Sequence, residues 1–187
     1  MSEIISHRFQ DHARVIAACD GLFPHIESAA TLASSSLMRG GKILLCGNGG
    51  SAADAQHMAC ELVGRFLKDR KALPAMALHT NTSDMTAIGN DFGFDHVYAR
   101  QVEAFGNAGD VLIAISTSGN SQNVLEAASV AKSKGMAIIG LTGENGGKLK
   151  DHSDIWLGVP SNQTPRIQEV HILIGHILCE LIENALA

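Results

Sequence analysis

The sequence predicts an α/β protein built on a doubly wound parallel sheet, with helices on both of its faces. Three observations predict it. Five short apolar runs, at 42–46, 75–79, 111–115, 136–141 and 154–159, alternate with segments of helical periodicity. The runs are continuously apolar rather than alternating, as strands buried on both faces are. No repeat, low-complexity tract or linker divides the 187 residues, which are enough for one domain with a proper core.

The elements follow in order. Residues 3–19 read as a helix with Ile5, Phe9, His12, Ile16 and Cys19 on one stripe, His12 being a packed or interfacial histidine. Gly21 breaks it. A second helix, marked by Leu22, Ile26, Ala29, Ala30, Ala33 and Leu37, has Pro24 in its first turn and ends at Arg39-Gly40-Gly41. This pair, residues 1–40, has little to cover in a small sheet and is expected to serve partly as oligomer contacts; residues 42–187 form the α/β core.

The core opens with a strand, a glycine turn (Gly47-Asn48-Gly49-Gly50) and a helix. Ser51 is suited to the N-cap, and Ala55, Met58, Ala59, Leu62, Val63 and Phe66 form the buried stripe. Bare backbone N–H groups and the helix N-terminus make such a turn an anion cradle. The polar face carries Asp54, His57, Glu61 and Gly64, and His57 and Glu61 are i, i+4 neighbours able to meet one ligand or metal. Beyond it, 82–90 is helical, Asn90-Asp91-Phe92-Gly93 is a turn, and 95–105 is a helix. The strand 111–115 runs into Ser116-Thr117-Ser118-Gly119-Asn120-Ser121 and a helix to about residue 134. Residues 144–147 form a loop, and 164–185 a long final helix.

Composition excludes several classes. The net charge is −5, with one Trp and one Tyr, so neither a basic stripe nor stacking surface for nucleic acid is present. No run reaches the roughly 18 apolar residues of a membrane span, and no signal-peptide pattern begins the chain. A cytoplasmic protein is the default. The four cysteines form no CxxC and read as buried reduced thiols.

The glycine turn matches G-x-G-x-x-A only weakly as a dinucleotide fingerprint, because the next strand ends at His79-Thr80 without an acidic residue. The Walker pattern fails, since Gly147-Lys148 is followed by Leu149 and Thr142 stands where it needs its first glycine. The 116–121 loop, rich in hydroxyls and leading into a helix, suits a phosphate monoester held by neutral donors. Its bland reading is an ordinary cap with a polar turn.

The final helix carries Arg166, Gln168, Glu169, His171, His176, Glu180 and Glu183 among apolar residues on most of its circumference. Polar groups buried on such a helix need partners. His57, Glu61, His176 and Gln168 form a zinc-type donor set, while His171 reads as structural. Gln168 and His176 stand about 12 Å apart along the helix, so both reach one metal only at full stretch, unless subunits share the site or Gln168 binds substrate.

These motifs in this order (GNGGSAADAQH and EL–GRF at 47–66, GNDFGF at 89–94, STSGNS at 116–121, RIQE–HI at 166–172, then His176) resemble the bacterial sedoheptulose-7-phosphate isomerases. These phosphoheptose isomerases belong to the sugar isomerase (SIS) domain class. The resemblance covers about 42–184, and the N-terminal helices fit it as well. It implies a flavodoxin-like SIS domain over 1–187 and a homotetramer with active sites at subunit interfaces. The implied substrate is a sugar phosphate: sedoheptulose 7-phosphate would be converted into D-glycero-D-manno-heptose 7-phosphate, opening nucleotide-heptose synthesis for lipopolysaccharide and other cell-surface polysaccharide. One Zn2+ per subunit is implied too. The resemblance assigns Glu61 and His176 as the catalytic pair and His57, Glu61, Gln168 and His176 as metal ligands. It assigns substrate contacts to Asn48, Gly49, Gly50, Glu61, Asn90, Asp91, Ser116, Thr117, Ser118, Ser121 and Gln168; Ser51 joins them from its place at the helix start. Pro165 departs from members with an acidic residue there. The alternative is a non-enzymatic SIS-domain regulator that binds the replication initiator protein. In that relative the positions of Glu61 and His176 are not kept; here both are.

Overall fold

The computed structural model describes residues 2–187. Five parallel strands, β1 (Ile43–Gly47), β2 (Ala75–Ala77), β3 (Val111–Ile115), β4 (Ala137–Gly143) and β5 (Ile155–Val159), pair in the order β2-β1-β3-β4-β5. This is the flavodoxin-like order. Its switch point lies between β1 and β3, where a crevice opens at the strands' carboxyl ends.

Alternation along each strand decides which core a side chain enters. Ile43, Leu45, Ile113 and Ile115 face a core shared with α2 (Phe23–Met38), α3 (Gly50–Val63) and α8 (Thr164–Leu186). Leu44, Cys46, Leu112 and Ala114 face a second core, closed by α5 (Ala99–Phe105) and α6 (Gln122–Ser133). Both faces are dry, which is why the strands read as unbroken apolar runs. Each fully buried Leu or Ile contributes about 1.5–3 kcal/mol.

Some local readings change. The helix α1 (Ser2–Ala17) leaves Ile5 and Phe9 58 % and 74 % exposed and buries only Asp11 among its residues. Its expected stripe therefore reaches the core only at its end, through Ile16 and, beyond the helix, Cys19. His12 Nδ1 lies 2.8 Å from Glu169 Oε2, and Arg166 grips the same carboxylate, tying α1 to α8. Helix α4 (Thr82–Phe92) runs through the expected 90–93 turn to Phe92, capped at its start by Asn81. A 3₁₀ turn at Phe94–His96 takes the first residues expected in the next helix. A one-turn helix, α7 (Leu149–His152), follows the 144–147 loop. Cys60 is exposed, whereas Cys19, Cys46 and Cys179 are buried thiols.

His171 is structural, as expected: it is fully buried on α8 with Nε2 3.1 Å from the Thr142 carbonyl oxygen. Burial pushes the imidazole down from 6.5 to about 4, against that hydrogen bond, which favours the charged ring. The folded ring is thus neutral, with Nε2–H donating. Its stabilising contribution is complete above pH 6.5, where the unfolded ring is neutral too, and is lost as pH falls from 6.5 to about 4 because only the unfolded state takes up the proton. We expect His171 alone to cost wild type about 3 kcal/mol across that window. Urea unfolding as a function of pH should show a shallower acid limb in His171→Gln. Parallel curves for the two proteins would discard this account.

Candidate active site

The crevice between β1 and β3 contains two loops. After β1 comes the glycine turn, and α3 starts at Gly50 with Gly49 preceding it; Ser51 is therefore not the N-cap but lies buried in the first turn, its N–H bonded to the Asn48 carbonyl at 3.0 Å. The Asn48 and Asn123 amides pair reciprocally, at 2.8 and 2.9 Å, and the buried Tyr98 hydroxyl donates to the Gly47 carbonyl oxygen at 2.5 Å. Asn123 and Tyr98 thus fix the turn. Neither was singled out in the sequence, since a lone Asn and a lone Tyr carry no pattern.

After β3 comes the serine loop. Ser116 Oγ lies 3.0 Å from Ser121 Oγ and 3.5 Å from Ser118 Oγ. Ser121 precedes α6 yet caps it with no side-chain hydrogen bond, so its hydroxyl points at its fellow serines. Between the loops lies a cavity of about 310 Å³ lined by Asn48, Gly49, Gly50, Ser51, Ile115, Ser116, Thr117, Ser121, Thr164 and Gln168. Eight sequence-predicted contacts meet here. Ser118 borders the adjoining hollow with Thr117. Asn90 and Asp91 do not join them: they end α4, exposed, with Asn90 Nδ2 donating to Asp91 Oδ1 at 2.7 Å.

A second cluster lies further along α3. His57 Nε2 is 3.2 Å from Glu61 Oε1 and 3.3 Å from His176 Nε2, and one donor atom of each of the three lies within 4.8 Å of the others. The fold makes this approach possible at Gly175, where a Cβ would come within 2.9 Å of Met58 Cγ; the bare glycine lets α8 press on α3. The Phe66 ring stacks on His176 at 5.6 Å between centroids and 23° between planes. Asp54, one turn before His57, has a buried oxygen without a partner, and burial pushes its carboxyl up although His57 nearby pulls it down.

Two imidazoles and a carboxylate converging on one point fit a divalent metal such as zinc, whose open positions would face solvent or substrate. Gln168 stands elsewhere in the same chain. Its amide fills the space beside Gly50, about 10 Å along α3 from His57.

The family model for the SIS domain matches residues 9–143. A phosphoheptose isomerase of Rhodospirillum rubrum is 60 % identical over 87 % of this chain and 87 % of its own length, and one of Aliarcobacter butzleri is 53 % identical over the whole of both.

The chain belongs to the phosphoheptose isomerase family of SIS-domain proteins.

The solved phosphoheptose isomerase of Neisseria gonorrhoeae superposes with a TM-score of 0.93 at 48 % identity, covering 98 % of each chain. Within the phosphoheptose isomerase fold described above, no helix among the described residues is long and apolar enough to cross a membrane.

Proposed function

We propose that the chain is a ketose–aldose isomerase that interconverts sedoheptulose 7-phosphate and D-glycero-D-manno-heptose 7-phosphate through an enediol, the first step toward nucleotide-activated heptose for lipopolysaccharide and related polysaccharides. The convergence of Glu61 with His57 and His176, in a chain of this family, is the observation that carries it. The same convergence argues against the regulator, whose matching positions lack the acid and the histidine. Its relatives at 52–60 % identity also bear an isomerase's name.

In this reading the uncapped serine loop holds the phosphate. Ser116, Thr117, Ser118 and Ser121 and the free N–H groups at the start of α6 donate to its oxygens. Asn48, Gly49, Gly50, Ser51 and Gln168 orient the sugar, and Asn90 and Asp91 contact it from a neighbouring subunit. Glu61 moves the proton at carbon, between C1 and C2, and His176 moves the proton at oxygen. His57, Glu61 and His176, with Gln168, would hold one zinc ion per subunit. When bound, zinc supplies a Lewis acid that polarises the substrate oxygen.

The assembly proposed with this reading is a homotetramer in which loops and triad meet across subunit interfaces and Gln168 reaches the metal from another chain, since within one chain its amide lies beside Gly50, about 10 Å along α3 from His57. We place this tetramer in the cytoplasm, with residues 1–187 acting as one SIS domain. Incubation with sedoheptulose 7-phosphate in D2O tests the assignment. Aldose should form with deuterium at C2, and no turnover would refute it.

A further inference from the structure

Arg70 lies in the charged stretch Lys68-Asp69-Arg70-Lys71, yet its side chain is 4 % exposed. It faces Glu183 of α8, 1 % exposed, at 3.2 Å. Replacing such a buried pair by apolar residues is often neutral or stabilising, so burial of the charges alone does not explain what they do. Their hydrogen bonds do.

Arg70 Nη2 donates to the Glu61 carbonyl oxygen at 2.8 Å, and Nη1 donates to those of Leu62, Gly64 and Lys71 at 2.9, 3.3 and 3.0 Å. The last carbonyls of a helix have no partner within it, and Arg70 therefore caps the turn of α3 that carries Glu61. Glu183 accepts from the backbone N–H groups of Phe66 and Leu67 at 3.3 and 2.7 Å. Burial raises the Glu183 carboxyl, but the N–H groups of Leu67, Lys68 and Phe66 and the Arg70 charge outweigh it and hold it below the usual carboxylate range. The backbone of Phe66 is thereby held, and its ring stacks on His176, two turns before Glu183 on α8.

We infer that the Arg70–Glu183 ion pair positions the triad, gripping Glu61 through the backbone of α3 and His176 through the Phe66 ring. Both are positioning residues, since neither touches the reacting atoms. The inference rests on the reading of His57, Glu61 and His176 as a metal site.

Zinc affinity of the metal-free protein, measured by competition with a chromophoric chelator, tests it. Glu183→Gln loosens the pair. Phe66→Leu leaves the pair and removes only the stacking, so it remains informative if Glu183→Gln does not fold. Asp110→Asn is the control, breaking a different, half-buried pair in which the buried Asp110 accepts from Lys42 Nζ at 2.6 Å. Groups that orient metal ligands typically contribute 10- to 100-fold to affinity, so both test variants should bind zinc about tenfold or more weakly, while Asp110→Asn loses thermal stability and keeps wild-type affinity. Unchanged affinity in both test variants beside a zinc-binding wild type overturns this inference alone. A wild-type chain that binds no zinc overturns the metal reading and this inference together.

Discussion

Glu61→Gln and His176→Gln are each expected to lower turnover of sedoheptulose 7-phosphate by roughly 10²- to 10⁴-fold, the usual contribution of a positioned acid or base. Both substitutions keep size and hydrogen-bonding capacity while removing the acid–base group. The two should differ in one respect. If Glu61 serves the carbon proton, its amide variant stops exchange of that proton with D2O altogether. His176→Gln retains slow exchange at carbon, because the base is intact and only the traffic at oxygen is impaired. Neither position is in the core: both side chains are partly exposed in the triad, so melting temperatures should stay near wild type. Wild-type turnover in both variants would remove the assignment, and exchange lost only in His176→Gln would reverse the roles.

What the sequence could convey depends on whether a property is local. Unbroken apolar runs at 111–115 and 136–141 report burial on both faces, and the sheet confirms it through its two cores. His57 and Glu61 share a helix face by spacing alone, so their proximity was legible; that His176 meets them required α8 to dock at Gly175, which no local pattern announces. Cys60 follows Met58 and Ala59 in an apolar stretch, yet a rotation of about 100° per residue carries it to the outside. Ser51 resembled a cap because its residue type suits one, but the helix begins a residue earlier, after Gly49. Arg70 was invisible for the opposite reason. Its neighbours are charged and exposed, and only the tertiary fold turns that one side chain inward to Glu183. Glu183 itself stood out as a polar residue on a helix too apolar to leave it unpartnered.

The serine loop has a further dependence that a single methyl group should expose. Gly119 sits at φ +66, and a Cβ there would run into the carbonyl oxygen of Gly146 in the facing loop. That backbone cannot yield easily. Leu149 N–H donates to the Gly119 carbonyl at 2.9 Å, Lys148 N–H to Asn120 Oδ1 at 3.1 Å, and Gly143 N–H to the Thr117 carbonyl at 3.0 Å. Gly119→Ala therefore combines left-handed strain with a backbone collision, a loss on the order of 3–5 kcal/mol of stability. It also moves Ser116, Thr117, Ser118 and Ser121 together. In the proposed reading the loop holds phosphate by neutral donors, and such a site would have no long-range charge to compensate for misplaced hydroxyls. Losing two hydrogen bonds to a charged group raises KM by about 10²-fold. Gly109→Ala separates the two costs, because Gly109 has φ +87 with nothing within 4 Å of its Cβ position. It should lose only about 1 kcal/mol and keep the wild-type KM. If Gly119→Ala melted with Gly109→Ala and bound substrate as wild type does, the two loops would not be coupled and the phosphate would have to be held elsewhere.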